Sequence, residues 1–378
     1  MRNIRGGMMQ LMMSSLVIAL AGNLGHAQSV ITDNDIFRAG NTATWMKLSG
    51  SSLKSYATLK TTGWGIGGGY IGTSAQAVVH MGANLCIFIA DPGSDDIASF
   101  NSKVHVANYS DPTGSGAWTG TAIAVHGTTL FAGYSASVNI GVWTINPDCS
   151  LTLANSAANT PTPDPVNDLA VSPDGKTLIA TYGYQNVDSF AISGTALTEK
   201  GPFTAVGYPA GIDITSDSNF VLVGDFSTNQ TQVEIFPIHS DSTLGASDSY
   251  LIAQGGADSN NLWISPDETL LYVSNNISFQ VTTLKFTEGA SPQHRLTFDC
   301  LTTLKSAGRT IYNTGGLATE ATSGNGAFLY VAEAGNPSGI ALLQVPQGGC
   351  PTEVSGSPFN NATNWWPITL TVDPPRPF

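Results

Sequence analysis

Five short polar side chains carry the most pointed chemistry in this sequence: Asn167, Asp168, Asp213, Asn260 and Asn261. Each stands at or just inside the start of an apolar run. Asn167 and Asp168 precede Leu169-Ala170-Val171, Asp213 lies within Ile212-Asp213-Ile214, and Asn260 and Asn261 precede Leu262-Trp263-Ile264. Carboxylate and amide oxygens build the shell of a hard cation such as Ca²⁺, which takes about six to eight of them. Asn167, Asp213 and Asn260 are the residues that would hold such an ion. The five together are also a candidate surface for a small ligand. Alternatively they cap strand ends through Asx turns, in which the side-chain oxygen accepts a bond from a nearby backbone N–H.

Other residues offer less. His80 and His126 stand at comparable hairpin turns, and His105, His239 and His294 fall near outer strands or long loops. None is paired by local sequence with a Ser and an Asp, so no catalytic residue can be named. Asp91, Asp95 and Asp96 could hold a cation, but an Asp-Pro-Gly-Ser-Asp-Asp string reads first as a solvated acidic turn. Thr62 to Tyr70 is rich in Gly but lacks the Lys of a phosphate-binding loop, and no helix follows it. It reads as a flexible loop, with Trp64 and Tyr70 covering one face of the fold. Trp365 and Trp366 read as core packing near the end of the chain.

Four cysteines are present, none with C-x-x-C spacing, which removes the usual zinc and redox patterns. Cys86 lies inside an apolar run and reads as a small buried hydrophobe. Cys149, Cys300 and Cys350 each stand near a turn and are the disulfide candidates, with the pairing open.

The elements that must position these residues repeat along the chain. Leu169 to Ala180 reads LAVSPDGKTLIA, Ile212 to Val223 reads IDITSDSNFVLV, and Leu262 to Val273 reads LWISPDETLLYV. Each is an alternating apolar run, a turn built on Ser or Thr and Asp, and a second run, which is a β-hairpin. The first apolar residues after the turns are Leu85, Leu130, Leu178, Phe220, Leu270 and Phe328, so successive units lie 42 to 58 residues apart. A period of this size points to a propeller or solenoid. Gly 41 and Pro 20 suit many turns and few helices. The reading is all-β: a β-propeller of four-stranded blades. Seven blades come first and six second, with the seventh assembled from both chain ends so that no sheet edge is left open. Segment 154–165, rich in Asn, Thr and Pro, reads as a linker between blades.

Residues 1–27 combine Arg2 and Arg5, a short apolar run and a Gly-His-Ala end, the pattern of a secretory signal peptide. Residues 28–378 then form a single propeller domain, with 28–60 contributing to the closing blade. Without the leader the chain carries 12 basic and 27 acidic side chains, a formal charge of −15. That balance excludes nucleic acid as a partner, because phosphate binding draws on Lys and Arg. No membrane span is expected. The protein is expected in a periplasm or outside the cell.

Ser172-Pro173-Asp174-Gly175-Lys176-Thr177-Leu178 and Ser265 to Asn276 resemble the YVTN-type propeller repeat. Over residues 61–372 the pattern resembles lactonase-like seven-bladed β-propellers related to bacterial 6-phosphogluconolactonase. That resemblance implies sugar-lactone hydrolysis and a His- and Arg-containing cluster ahead of the inner strands. Here the matching positions read Pro165-Val166-Asn167-Asp168, Tyr208-Pro209-Ala210-Gly211 and Asp258-Ser259-Asn260-Asn261, with no Arg or His among them. The Asn-Asp and Pro-Ala-Gly stretches also resemble calcium-dependent lactonases of the regucalcin and gluconolactonase type, with Ala210 where that family has its Asn ligand. The first expectation is therefore an exported module binding a small molecule or a protein on one face. The alternatives are a lactone hydrolase, with Ca²⁺ as its possible cofactor, and a structural propeller of the envelope or matrix.

Overall fold

The computed structural model describes residues 29–373 except 37–39, 67–74, 113–121, 135–138, 160–165, 184, 206, 227–228, 306–317, 323–325, 334–337, 347–349 and 360–368. Residues 1–27, Tyr70, Trp365 and Trp366 lie outside the described residues.

Seven antiparallel sheets are formed. The chain opens with β1 (Ser29–Asp33), β2 (Thr42–Ser49) and β3 (Ser52–Lys60). Blade 1 is β4 (Gln76–Met81), β5 (Asn84–Asp91), β6 (Asp96–Asn101) and β7 (Val104–Ser110). Blade 2 is β8 (Ala122–His126), β9 (Thr129–Gly133), β10 (Asn139–Ile145) and β11 (Leu151–Asn159). Blade 3 is β12 (Val166–Val171), β13 (Thr177–Tyr182), β14 (Asn186–Ser193) and β15 (Ala196–Glu199), with β16 (Phe203–Thr204) also paired to β14. Blade 4 is β17 (Pro209–Ile214), β18 (Phe220–Asp225), β19 (Thr231–Pro237) and β20 (Asp248–Ile252). Blade 5 is β21 (Ser259–Ile264), β22 (Leu270–Asn275), β23 (Gln280–Phe286) and β24 (Leu296–Thr303). Blade 6 is β25 (Ala318–Thr322), β26 (Gly326–Glu333), β27 (Gly339–Val345) and β28 (Thr352–Glu353). The last strand, β29 (Thr369–Asp373), pairs with β1 and completes blade 7 in the order β29-β1-β2-β3. Both chain ends thus close the ring, and seven blades replace the six-blade alternative.

Segment 154–165 is not simply a linker, because residues 154–159 belong to β11. Their sequence lacks apolar alternation because β11 is the outermost strand of blade 2 and has no neighbour beyond it.

Apolar alternation gives every blade two faces to bury. Among the described residues the core divides into seven clusters, one at each seam between neighbouring blades. At the seam of blades 7 and 1, Ile31, Trp45 and Leu59 meet Ile87 and Phe100. At the seam of blades 6 and 7, Tyr330 and Leu342 meet Leu370 and Val372.

The repeated hairpin turns stitch the seams on one face of the ring. Each needs a left-handed residue, supplied by Gly175 (φ 71°), Ser218 (φ 64°) and Glu268 (φ 53°). Ser218 Oγ accepts a bond from the Asp174 N–H of the preceding blade (3.1 Å), and Glu268 Oε1 accepts one from the Ser216 N–H (2.5 Å). At Gly175 the space a side chain would need is filled by the preceding blade's His126, whose Nε2 would lie 2.5 Å from an added Cβ. The cost of left-handed backbone at Ser218 and Glu268 is offset by these contacts between blades.

Both disulfides also cross seams. Cys86 on β5 bonds Cys149 of blade 2, and Cys300 on β24 bonds Cys350 of blade 6. Cys86 is therefore not a free buried thiol. Its place in an apolar run hid the bridge, because the partner approaches from the next blade and not along the strand. Among the described residues no helix is long and apolar enough to cross a membrane.

Candidate functional site

The five polar residues singled out in the sequence lie on innermost strands. Asn167 and Asp168 are on β12, Asp213 on β17, and Asn260 and Asn261 on β21. The innermost edge of a sheet leaves alternate N–H groups without a ladder partner, and these side chains supply partners. Asp168 accepts from Leu169 N–H on its own strand and from Ile212 N–H on the next blade, both at 2.8 Å. Asp213 does the same with Ile214 N–H (2.8 Å) and Ile264 N–H (2.7 Å). Asn261 accepts from Leu262 N–H (2.6 Å), and Asn167 donates to the Pro209 carbonyl (2.9 Å). Blades 3, 4 and 5 are thus joined around the channel by side-chain oxygens. At the matching position of blade 4 stands Gly211, where an added Cβ would lie 2.7 Å from Asn261 Cα.

Asn167, Asp213 and Asn260 do not stand level. By repeat alignment Asn167 matches Asn260, and Asp213 lies three residues further along its strand. At about 3.3 Å per residue that is about 10 Å of depth, too far for one coordination shell. Both Asp213 oxygens are also engaged by N–H donors. The three side chains do not fit one cation. Among the described residues no three His, Cys, Asp or Glu side chains are grouped to hold a metal.

Two other groups of carboxylates stand out, of which only Asp91, Asp95 and Asp96 in the second were singled out by the sequence. The first lies at the channel mouth between blades 4 and 5. Asp225 ends β18, and Asp258 immediately precedes β21 in left-handed conformation (φ 60°). Both are buried, with relative exposures of 3 % and 6 %. Burial, and then the charge of Asp225, raises the Asp258 carboxyl to about 6. Asp225 Oδ1 accepts from Tyr208 N–H (3.0 Å), and Phe226 N–H donates to the Tyr208 carbonyl (2.9 Å). The Tyr208 and Phe226 rings stand 6.2 Å apart at 59°, both half-buried. The result is an Asp258 carboxyl raised to about 6 within reach of the Asp225 charge, while Asp225 itself bonds the backbone of the half-buried Tyr208–Phe226 pair. A carboxylate of this kind is suited to take a proton from water.

The second group lies at the seam of blades 7 and 1. Asn41 Nδ2 bridges Asp33 Oδ1 (2.7 Å) and Asp91 Oδ1 (2.8 Å), and Thr61 Oγ1 donates to Asp91 Oδ1 (2.8 Å). Asn108 Nδ2 donates to Asp96 Oδ1 (2.6 Å). Asp33 and Asp91 have no exposed surface, and their Oδ2 atoms have no hydrogen-bond partner. Burial, then the charge of Asp35, pushes Asp33 up to about 8. Burial, then Asp96 and Asp33, holds Asp91 well above the carboxylate range. The expected solvated turn at Asp91, Asp95 and Asp96 is thus overturned: all three are buried. The segment 62–66 closes over them, with Gly93 and Ser94 N–H groups both donating to the Trp64 carbonyl.

Of the histidines, His80 on β4 bonds Asp373, and His126 ends β8 against the turn of blade 3. His80 pairs with Leu85 and His126 with Thr129, so the two are one residue apart in register.

Residues 212–375, from blade 4 to β29, match a family described as lactonase, seven-bladed beta-propeller. No curated protein matches the chain. Solved structures with the same fold include a 6-phosphogluconolactonase candidate of Bacteroides fragilis (16 % identity, 91 % of this chain and 98 % of that chain, TM-score 0.67). The periplasmic gluconolactonase of Pseudomonas aeruginosa is similar (15 %, 91 % and 98 %, TM-score 0.65), as is a protein of Lactobacillus plantarum (14 %, 91 % and 99 %, TM-score 0.68). Seven four-stranded blades in a ring closed by both chain ends make this chain a seven-bladed β-propeller, and its residues 212–375 match the lactonase family of that fold.

Proposed function

We propose that this protein is an exported hydrolase of sugar lactones. The observation that carries the reading is the lactonase match over residues 212–375, the stretch that contains Asp225 and Asp258. It favours the hydrolase over the binding module expected first from the missing basic cluster. The reaction is placed at the mouth of blades 4 and 5. Ionised Asp258 takes a proton from water as the water oxygen attacks the lactone carbonyl carbon. The tetrahedral oxyanion collapses, the ring C–O bond breaks, and the proton held by Asp258 passes to the departing alkoxide. The product is an open-chain hydroxy acid. Tyr208 and Phe226 offer the sugar ring an apolar face.

The substrate class is a neutral lactone. Positions 165–168, 208–211 and 258–261 carry no Arg or His, and Asp225 and Asp258 would repel a phosphate. Export is supported by the leader pattern of residues 1–27 and by two disulfides, which persist in oxidising compartments.

The test is acid release from glucono-1,5-lactone and related aldonolactones by the purified protein and by Asp258→Asn. Hydrolysis above background that the variant loses supports the reading. Turnover equal to background on every lactone removes it.

A further inference from the structure

We propose that the outer rim where blade 7 meets blade 1 is a binding surface for an anionic polysaccharide, with Lys47, Lys54, Lys103 and Tyr56 as its contacts. It lies away from the channel mouth and does not depend on the lactone reading.

Charge is distributed unevenly in this chain. No Asp or Glu occurs from residue 36 to residue 90, nor from 97 to 110. Five of the 12 basic residues beyond residue 27, Arg38, Lys47, Lys54, Lys60 and Lys103, fall in those two stretches. Folding concentrates three of them. Lys47 on β2 is the direct cross-strand partner of Lys54 on β3, a pairing of like charges that costs stability in a sheet. Lys103, at the turn between β6 and β7, comes from the neighbouring blade to the same place. Its Nζ lies 3.6 Å from the centroid of the Tyr56 ring, and Lys47 Nζ lies at the same distance. A hydrogen bond from Lys103 and then its charge, followed by that of Lys47, hold the exposed Tyr56 phenol below its ordinary range.

None of the four ion pairs among the described residues uses these lysines. Two ammonium groups thus flank one tyrosine, with Lys54 opposite one of them on the neighbouring strand, and no ion pair among the described residues neutralises the three. A local conflict without internal compensation is where function is to be sought.

The surroundings specify the anion. Tyr56 is 41 % exposed and packs edge-on against buried Trp45 at 4.8 Å. Ser49, Ser51, Ser55 and Thr58 are exposed beside it. β3 pairs only with β2, so its outer backbone edge is open. Hydroxyls, an open strand edge and an aromatic suit sugar hydroxyls, and the lysines suit carboxylate or sulfate groups on the same chain. A planar anionic bilayer would also meet the acidic remainder of the protein, whereas a single polysaccharide strand can touch the patch alone.

The experiment is retention of the full chain on immobilised polygalacturonate and dextran sulfate, with neutral dextran and phosphatidylglycerol vesicles alongside. Retention on either acidic polymer is expected, released by salt and absent on neutral dextran. Lys54→Gln/Lys103→Gln should weaken it about tenfold or more, and Tyr56→Ala should weaken it too, while Lys176→Gln on blade 3 should not. No retention, retention unchanged in the double variant, equal retention on neutral dextran, or binding to the vesicles alone would each overturn the proposal.

Discussion

His80 Nε2 lies 2.6 Å from Asp373 Oδ1 across 293 residues of sequence, so the innermost strands of blades 1 and 7 are tied directly to each other. This contact sits where the ring closes, but it is not the main closure force. The His80 side chain is 50 % exposed, and pairs of that kind contribute about 0–1 kcal/mol. Leu370 and Val372 on β29 are buried in the cluster between blades 6 and 7. Removing such side chains costs about 2–5 kcal/mol for Leu→Ala. His80→Ala should therefore move the denaturation midpoint slightly, and Leu370→Ala several-fold more. Equal shifts from the two would mean that closure depends on the polar contact.

The repeat made the ring legible, because Ser-Pro-Asp-Gly turns and alternating runs are local signals. The closing blade was legible for the same reason: an incomplete unit stood at each end. What joins neighbouring blades was not. Asn41 and Asp91 are 50 residues apart, Asp168 and the Ile212 N–H 44, and Cys86 and Cys149 63. Each pair is one blade apart in the ring, and sequence patterning describes a strand and its hairpin partner, not the face of the next sheet. Asp91 reads as a solvated turn because its neighbours in sequence are polar, and its burial comes from residues 62–66 of the preceding connection. The same limit hid the mouth: Tyr208, Asp225 and Asp258 meet only when two connections converge.

The buried acids at the seam of blades 7 and 1 make stability fall as pH rises. Asp33 has its folded value raised to about 8, above the ordinary carboxylate value of about 3.9. Between those limits the folded chain holds a proton that the unfolded chain has released, so unfolding is progressively favoured. The slope is about 1.4 kcal/mol per pH unit for one proton, and it vanishes below about pH 4 and above about pH 8. Asp33→Asn removes this titration while keeping the shape and the oxygen that accepts from Asn41. It should be near neutral in urea unfolding at pH 4 and stabilising at pH 8. An unchanged pH slope in the variant would show that Asp33 does not hold the proton.

Asp213→Ala should destabilise the seam of blades 4 and 5. It strips two N–H groups, on Ile214 and Ile264, of a charged acceptor. Bonds to charged groups are worth about 1.5–3 kcal/mol each, so a loss of at least about 1.5 kcal/mol is expected. Asp174→Asn, at an exposed turn, should stay within about 0.5 kcal/mol. A mild effect at Asp213 would mean that water in the channel replaces its oxygens.

Reduction should proceed in a fixed order. Cys86 and Cys149 have no exposed surface, whereas Cys350 is exposed. Under mild reductant, native-state alkylation should label Cys300 and Cys350 first. The 63-residue loop closed by Cys86–Cys149 implies about 4 kcal/mol by chain entropy, so Cys86→Ser/Cys149→Ser should lower the melting temperature markedly. Early labelling of Cys86 would show that the seam of blades 1 and 2 opens readily.

The pH profile tests the mouth most sharply. If Asp258 is the general base it must be ionised, so kcat/KM for a lactone should rise with pH through about 6. Asp258→Asn should lower the rate by about 10²–10⁴-fold. Asp225→Asn discriminates further. Removing that charge takes away one of the two causes of the raised Asp258 value, so the rising limb should move to lower pH while the plateau rate changes less. A residue that merely supports the fold would lower the whole profile without moving its midpoint. A displaced midpoint in Asp225→Asn, together with the loss in Asp258→Asn, would assign the proton transfer to this pair. An unmoved midpoint would place the base elsewhere on the ring.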